Sequence, residues 1–360
     1  MKEIFKNRLN QLSAKIYDIG YDGLYITNLT NIRYLTGFTG SAAVLLLIDG
    51  VSYFFTDGRY IKQSSDQVKN SDITIIDSSY FKSINQKKIL KKNELNIGFE
   101  ANHISFSNYN NLIEHFSNIH WQPTRSIIED IASIKDQYEI DSLKTAIEIT
   151  DHVFEKIIPD IKVGVTEKYI SAKISYLFKT NGAEGDSYES IIAGGPNSAL
   201  PHARPTDRKF QKGDFIVMDF GALYNGYHAD MTRTLLIGPA TSKHHNIYDI
   251  VLNAQLSGIS TAKAGASCSS VDQACRNIIN SHGYGDFFNH STGHGIGLEV
   301  HTLPRIHKNN KQLLKPNQVI TIEPGIYLPD WGGVRIEDDC LIQKNKCLPL
   351  NKSTKELIII

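Results

Sequence analysis

The strongest constraint on the fold is the segment 213–238, which reads GDFIVMDFGALYNGYHADMTRTLLIG. Two runs rich in β-branched and apolar residues flank Asn225-Gly226, a dipeptide typical of a two-residue hairpin turn. With these two residues as the loop, Asp219 lies opposite Thr232. Asp230 is two residues before Thr232 and therefore shares a face with Asp219. The two carboxylates become diagonal neighbours with Cβ atoms about 7–8 Å apart at most.

Two carboxylates on one face of a buried strand pair repel each other and lose hydration. A bridging divalent cation, a shared proton or basic partners would each compensate, and the spacing leaves the three open. The segment NQVITIEPGIYLPDWGGVRIEDDCLI adds more acid and predicts strand, turn and strand. Glu323 ends its first apolar run, and Glu337 lies in its last run on the same face as Arg335. Each is costly to bury unpaired.

The segment 289–301, NHSTGHGIGLEVH, carries three histidines in a stretch too rich in glycine for a stable helix. Glycine lets the backbone bend sharply and pass close to a site. We therefore expect His294, which has glycine on both sides, to bind a metal ion. His290 and His301 stay available as donors to a substrate. His202, in NSALPHARPT, is another candidate.

Four carboxylates and one imidazole form a coherent set of ligands: Asp219, Asp230, His294, Glu323 and Glu337. Hard oxygen ligands with one nitrogen suit Mn²⁺, Co²⁺, Zn²⁺ or Fe²⁺ better than an ion that prefers thiolates. Such a set can hold two cations about 3.5–4 Å apart with a bridging water. The set therefore predicts hydrolytic chemistry at neutral pH.

The chain of 360 residues is long enough for two domains. In residues 1–127 a helix, FKNRLNQLSAKIYDIGYD, precedes the predicted strands GLYITN, AAVLLLID, VSYFFTD, ITIID and LNIGFE. Strands that alternate with helices favour a mixed or parallel sheet with helices on its faces. Residues 128–160 predict one long helical stretch that leads into the second domain. Two further helices are expected near 166–180 and 242–262.

Charge argues against several classes of partner. Lys+Arg and Asp+Glu balance at 38 each, so no overall field attracts nucleic acid or an anionic membrane. The basic run Lys87, Lys88, Lys91 and Lys92 is typical of a solvated helix face. No window of 18 apolar residues and no signal-peptide pattern occurs. We therefore expect a cytoplasmic protein.

The cysteines predict buried thiols. They stand at Cys268, Cys275, Cys340 and Cys347 and form no CxxC pair. A zinc ribbon is therefore not indicated. Disulfides are not indicated either in a chain of this size.

Several blocks of this sequence resemble the pita-bread metallopeptidases, in the branch of Xaa-Pro aminopeptidases and Xaa-Pro dipeptidases (prolidases). The blocks are LPHARP, MDFGALYNGYHADMTRT, STGHGIGLEVH, TIEPGIY and GGVRIED. The resemblance extends upstream through NIRYLTGFTGSAAVLL, FTDGRY and SIKDQYEIDSLKTA, so it covers nearly the whole chain. It implies an α+β protein with a C-terminal pita-bread (creatinase/aminopeptidase) domain, 128–360. An α/β creatinase-like domain, 1–127, precedes it and is often involved in forming a homodimer.

The resemblance also implies roles for individual residues. Two divalent ions, Mn²⁺ ahead of Co²⁺, Zn²⁺ and Fe²⁺, would be bound by Asp219, Asp230, His294, Glu323 and Glu337. Asp230 and Glu337 would each contact both ions, and Glu323 would also move a proton. The catalytic residues implied are His202, His290, His301, Glu323, Arg335 and Tyr327.

The implied activity is hydrolysis of the Xaa-Pro bond at the N-terminus of peptides. We expect an Xaa-Pro aminopeptidase, with an Xaa-Pro dipeptidase as the alternative, because Arg335 alone offers a clamp for a free proline carboxylate. A metal-free binding module or a creatinase-like hydrolase on the same fold is disfavoured, since all five ligands are present. A methionine aminopeptidase is disfavoured because residues 1–127 would have no counterpart. Thr302 follows His301 where the family commonly has an acid, which predicts altered hydrogen bonding and substrate preference.

Overall fold

The computed structural model describes residues 2–90 and 94–360. The chain forms two compact units, Met1–Ala132 and Ser133–Ile360. Lys87 and Lys88 are exposed, as a solvated helix face requires, whereas Lys91 and Lys92 lie outside the described residues. Within the described ranges, no helix combines the length and apolar character needed to cross a membrane.

The first unit is built on one mixed sheet. Its helices are Lys2–Asp18 (α1), Leu29–Thr36 (α2), Ile61–Gln67 (α3), Tyr80–Lys87 (α4), Phe106–His115 (α5) and Ile127–Ala132 (α6). Its strands are Gly23–Ile26 (β1), Val44–Ile48 (β2), Val51–Asp57 (β3), Asp72–Ile76 (β4), Asn96–Glu100 (β5) and His120–Thr124 (β6). The strand order is β4-β3-β2-β1-β5-β6. β2 is antiparallel to β1 and to β3, and the other pairs are parallel. The mixed sheet predicted from the sequence is confirmed.

Two differences from the predicted elements have local causes. β6 was not expected, because Pro123 interrupts the pattern of an interior strand and is tolerated only at a sheet edge. The long helix predicted over 128–160 is broken into α6 and a separate helix that starts at Gln137. The break is stabilised by a capping box, in which Asp136 and Glu139 bind each other's backbone N–H groups.

The second unit combines helices with several small antiparallel sheets. Its helices are Gln137–Ile157 (α7), Glu167–Thr180 (α8), Ser242–Thr261 (α9) and Cys268–Ser281 (α10). Its first strands are Gly185–Asp186 (β7), Ile191–Gly194 (β8), Phe215–Phe220 (β9), Ala222–Tyr224 (β10), Tyr227–His228 (β11) and Met231–Leu236 (β12). The later strands are Gly293–Gly295 (β13), Thr302–Ile306 (β14), Val319–Ile322 (β15), Gly325–Leu328 (β16), Gly332–Arg335 (β17), Asp338–Ile342 (β18) and Cys347–Pro349 (β19).

The sheets of this unit meet around the candidate residues. One has the order β12-β9-β8, another β14-β13-β15-β18-β19, and β16 pairs with β17. α9 and α10 supply the main core, in which Val251 and Cys275 pack with Ile320 and Ile322 of β15. α10 was not expected, although its buried Val271, Cys275 and Ile279 recur at helical spacing.

The cysteines are free and buried, which confirms the prediction made from their spacing. Cys275 lies in the core between α10 and β15. Burial raises the pKa of its thiol to about 12, so it stays protonated at neutral pH. These side chains therefore fill the core.

Candidate active site

The hairpin that carries the first two carboxylates has the predicted register. Tyr224 pairs with Tyr227 across Asn225-Gly226, whose φ angles of 49° and 75° match the turn such a dipeptide forms. The register continues into β9 and β12, where Asp219 lies opposite Thr232. Asp230 lies just before β12. It converges with Asp219 on the hydroxyl of Tyr188, whose oxygen is within hydrogen-bond distance of both carboxylates and whose one proton can be donated to either.

The other sheet brings the remaining acids and the imidazole to the same place. His294 is the central residue of β13, Glu323 directly follows β15, and Glu337 directly precedes β18. His294 Nε2 lies 3.6 Å from Asp230 Oδ2 and 3.4 Å from Glu323 Oε1. The backbone N–H of Glu337 donates to the carbonyl of Thr232, which fixes the two sheets to each other at this point.

Three of these side chains fit a metal ion closely. Ligand atoms of Asp230, His294 and Glu337 all lie within 4.8 Å of one another, and all three residues are buried. His294 Nδ1 contacts the carbonyl oxygen of Gly295 at 3.1 Å, which requires the proton on Nδ1 and leaves the Nε2 lone pair directed at the carboxylates. Among the described residues, Glu337 Oε1 is buried without a hydrogen-bond partner. A buried carboxylate oxygen of this kind is suited to a divalent cation.

The pKa values of these acids show how unfavourable it is to bury them together as carboxylates. Burial, and then the neighbouring carboxylates, raise the pKa values of Asp230 and Glu337 well above their usual range. Burial raises the pKa of Glu323 to about 7, although Arg335 opposes the shift. Raised values mean that these side chains are difficult to ionise together without a compensating positive charge.

Asp219 has a different environment from the other acids. Arg335 Nη2 donates to Asp219 Oδ2 at 2.6 Å, so this carboxylate forms a buried ion pair. Arg335 also donates to the Tyr327 hydroxyl at 2.8 Å, and Tyr327 lies 2.9 Å from His290 Nε2. Because His290 Nδ1 faces the Ser291 carbonyl, its Nε2 accepts from Tyr327. Arg335 therefore donates in two directions, to Asp219 on one side and to Tyr327 on the other, and Tyr327 donates in turn to His290.

The remaining histidines lie in the same cavity, which has a volume of ≈ 640 Å³. His202 and His301 are both exposed and line it. The rings of His301 and His294 meet edge to face, with centroids 4.4 Å apart. The cavity lining contains Asp219, Asp230, His294, Glu323, Glu337, His202, His290, His301 and Arg335. Tyr327 reaches the cavity through its bonds to His290 and Arg335.

Several residues of this cavity were not among the candidates from the sequence, and two of them, Tyr188 and Arg305, bear directly on the site described above. Tyr188 joins Asp219 to Asp230, and burial raises the pKa of its hydroxyl well above the usual value. In the sequence, the one indication of this role for Tyr188 was its position shortly before the strand β8. Arg305 of β14 also lines the cavity. Because Arg305 lies only four residues after the candidate His301, the sequence could have indicated that it is near the site. Its position corrects the expectation that no basic residue beyond Arg335 faces the site.

The glycines around His294 act by close approach. Neither Gly293 nor Gly295 has a positive φ, and both continue β13 between β14 and β15. A Cβ on Gly293 would lie 2.0 Å from the carbonyl oxygen of Thr321, and one on Gly295 would lie 2.1 Å from that of Leu303. The sharp bend expected here is wrong for these two positions. Their glycines let the strands that carry His294 and Glu323 pack tightly.

Comparisons with known proteins agree with this geometry. Residues 141–344 match the model of metallopeptidase family M24, and residues 8–134 match the creatinase/prolidase N-terminal domain. The chain is similar to an Xaa-Pro dipeptidase of Pyrococcus furiosus, with 36% identity over 98% of this chain and 100% of the relative.

Solved structures are similar over nearly the whole chain. An Xaa-Pro dipeptidase from Bacillus anthracis is 38% identical, with a TM-score of 0.95, over 99% of this chain and 100% of that one. An X-Pro aminopeptidase from Thermotoga maritima is 34% identical, with a TM-score of 0.88, over 96% and 100%. The predicted fold, a creatinase-like N-terminal domain followed by a pita-bread domain, is confirmed.

Proposed function

The chain belongs to metallopeptidase family M24 and is a metallo-exopeptidase, and we propose that it hydrolyses Xaa-Pro dipeptides with two divalent cations. Two observations support this substrate. Relatives and solved structures named Xaa-Pro dipeptidase match almost the full chain. The cavity also contains an arginine, Arg305, placed to recognise a free carboxylate.

We propose that Asp219, Asp230, His294, Glu323 and Glu337 bind the cations. We propose Mn²⁺ as the preferred metal. The grouping of Asp230, His294 and Glu337, with an unpartnered oxygen on Glu337, is the observation that supports a metal site. When bound, the cations would make water a nucleophile at neutral pH and polarise the scissile carbonyl. A metal-free binding module would leave these buried acids uncompensated.

The protein side chains have separable tasks in this proposal. Glu323 lines the cavity beside His294, where it would take a proton from the attacking water and pass it to the leaving proline nitrogen. His202 and His301 line the cavity beside the acids and are placed to donate to the developing oxyanion. Burial, and then Arg335, lower the pKa of His290 to about 3, so His290 stays neutral. It orients Tyr327 rather than carrying charge.

In this proposal, Arg305 determines the preference for a dipeptide substrate over a longer peptide. Its guanidinium has no hydrogen bond or ion pair to any residue in 2–90 or 94–360, although it lines the cavity near His294 and His301. A planar guanidinium binds a carboxylate through two parallel hydrogen bonds. A site built to bind a free carboxylate rejects substrates in which a peptide bond replaces it. This reverses the preference for an aminopeptidase expected from the sequence.

The test compares kcat/KM for Ala-Pro with that for Ala-Pro-Gly in the Mn²⁺-loaded protein. We expect the dipeptide to be preferred by about tenfold or more, which corresponds to about 1.4 kcal/mol of transition-state discrimination. Arg305→Gln should remove the preference, chiefly by raising KM for Ala-Pro. Lys308→Gln is the matched control, because Lys308 is exposed and lies on the same segment outside the cavity lining.

A preference for Ala-Pro-Gly would favour an Xaa-Pro aminopeptidase. Equal rates for Arg305→Gln and wild type on Ala-Pro would exclude the role of Arg305. We also propose that the protein is a homodimer, as its family resemblance implies, and sedimentation of the purified protein would check that separately.

A further inference from the structure

An exposed ion pair stands in the wall of the cavity and has no part in the proposed reaction. Arg204 Nη1 lies 2.5 Å from Glu189 Oε2, and the two side chains are 65% and 64% exposed. Both residues line the cavity. An ion pair this exposed adds little to stability.

A second arginine in the same loop shows what a structural pair looks like here. Arg208 donates two hydrogen bonds to Asp214, at 2.6 and 2.9 Å, and the two side chains are 21% and 9% exposed. That pair is largely withdrawn from solvent and fixes the loop to the start of β9. Because the Arg208–Asp214 pair already fixes this loop, the Glu189–Arg204 pair is not needed to hold it. The Glu189–Arg204 pair is therefore free to contact a substrate in the cavity.

Besides the acids, the cavity lining contains two groups of residues that come from different parts of the chain. His290, His301 and Arg305 lie on and around β13 and β14, whereas Glu189, Ile191 and Arg204 lie on β8 and the segments beside it. A dipeptide whose carboxylate binds Arg305 would use the first group for its proline. The second group, with the Ile191 side chain, would then be left for its N-terminal residue.

We infer that the Glu189–Arg204 pair contacts the side chain of the substrate's N-terminal residue and decides which charge on that side chain is accepted. This inference rests on the proposed Xaa-Pro hydrolysis. In the intact pair each charge cancels the other, so the subsite tolerates neutral side chains and discriminates weakly between acidic and basic ones. Removing one partner leaves the other charge uncompensated beside the substrate.

The experiment measures kcat/KM for Asp-Pro, Leu-Pro and Lys-Pro with the Mn²⁺-loaded wild type, Glu189→Gln and Arg204→Gln. Glu189→Gln should favour Asp-Pro and disfavour Lys-Pro by about threefold each, the size expected of an exposed charge contact. Arg204→Gln should do the reverse. Leu-Pro should be cleaved at the wild-type rate by both variants. The effects should appear mainly in KM and should shrink in about 1 M salt, where the screening length is about 3 Å.

Glu148→Gln and Lys352→Gln are the matched controls. They disrupt an ion pair of similar exposure, 60% and 74%, that lies outside the cavity lining. These variants should leave all three rates unchanged. Opposite shifts in the two test variants support the inference.

Unchanged Asp-Pro to Lys-Pro ratios in both test variants would overturn the inference, as would equal losses on all three substrates, which indicate a structural role. If the wild type cleaves none of the three, Xaa-Pro hydrolysis itself fails. The two failures are therefore distinguishable.

Discussion

Two neighbouring residues, Glu337 and Asp338, are both buried acids, and the protein treats them in opposite ways. Asp338 receives hydrogen bonds from Arg233 at 2.8 Å, Lys355 at 2.6 Å and Gln255 at 3.0 Å. Glu337 accepts from Thr232 through Oε2, and its Oε1 has no partner in the described ranges. The two carboxylates are each 1% exposed.

The pKa values follow this difference in partners. Burial works against the ionised form of Asp338, but Arg233 and Lys355 outweigh it and lower its pKa. Burial and then Asp230 raise the pKa of Glu337 well above the usual range. Burial alone therefore does not identify a functional acid. Of these two acids, Glu337 is the one that lies with Asp230 and His294 and has an oxygen available to a cation.

The largest expected effect is on catalysis, from Glu337→Gln. Changing residues behind metal ligands costs about 10–100-fold, so loss of a ligand oxygen should lower kcat/KM on Ala-Pro by more than about 100-fold. The metal-free variant should be at least as stable as the metal-free wild type, because one repelling charge is gone. Steady-state kinetics and urea unfolding check both parts. Activity within about tenfold of wild type would exclude Glu337 as a ligand.

Asp338→Asn should act on stability instead. Removing one partner of a buried ion pair typically costs about 3–5 kcal/mol, because Arg233 is left without its countercharge. Urea unfolding of metal-free Asp338→Asn and of metal-free wild type gives the difference directly. A stability loss no larger than that of Glu337→Gln would contradict the comparison.

His202→Ala tests a cavity residue outside the ligand set. It should lower turnover about 10²-fold, as expected for loss of an electrostatic contact made in the transition state. Its metal content should stay at the wild-type level, which elemental analysis of the purified variant would show. Turnover within a factor of about two would remove His202 from the mechanism.

The smallest effect concerns a buried base, Lys135, whose ammonium donates to the Ser133 carbonyl at 3.3 Å. Burial lowers its pKa to about 8, although Glu139 opposes the shift. Unfolded lysine titrates near 10.4, so the folded state binds fewer protons between these values and stability rises with pH there. From pH 8 to 9.5 the gain is about 1.6 kcal/mol, because folded Lys135 is still half protonated at pH 8.

Lys135→Met should lose this pH dependence, and urea unfolding at both pH values measures it. Lys308→Met is the control, because Lys308 is exposed. Parallel pH profiles for wild type and Lys135→Met would show that Lys135 does not titrate in this window.

Residues with strong local signals were predictable from the sequence. Asn225-Gly226 fixes its own turn, and the register that follows places Asp219 opposite Thr232 as expected. Phe5, Leu9, Leu12 and Ile16 recur at helical spacing and are buried in α1. Short-range patterns of this kind depend on few neighbours, so sequence alone reveals them.

Residues whose roles depend on distant contacts were not predictable. Tyr188 joins Asp219 and Asp230 only because three separate segments converge. The same holds for Arg305, which reaches the cavity because β14 pairs with β13. Asp338 and Glu337 look alike in sequence, and only the folded chain supplies Arg233 to one of them.

The most direct test of the central claim is metal analysis coupled to activity and stability on one preparation. Chelation should abolish Ala-Pro hydrolysis, and Mn²⁺ or Co²⁺ should restore it as metal content rises to about two ions per chain. The loaded protein should also be more stable than the chelated one, by about 2.7 kcal/mol for each bound ion when free metal is 100 times the Kd of that ion. Full hydrolysis by protein shown to contain no metal would contradict the account.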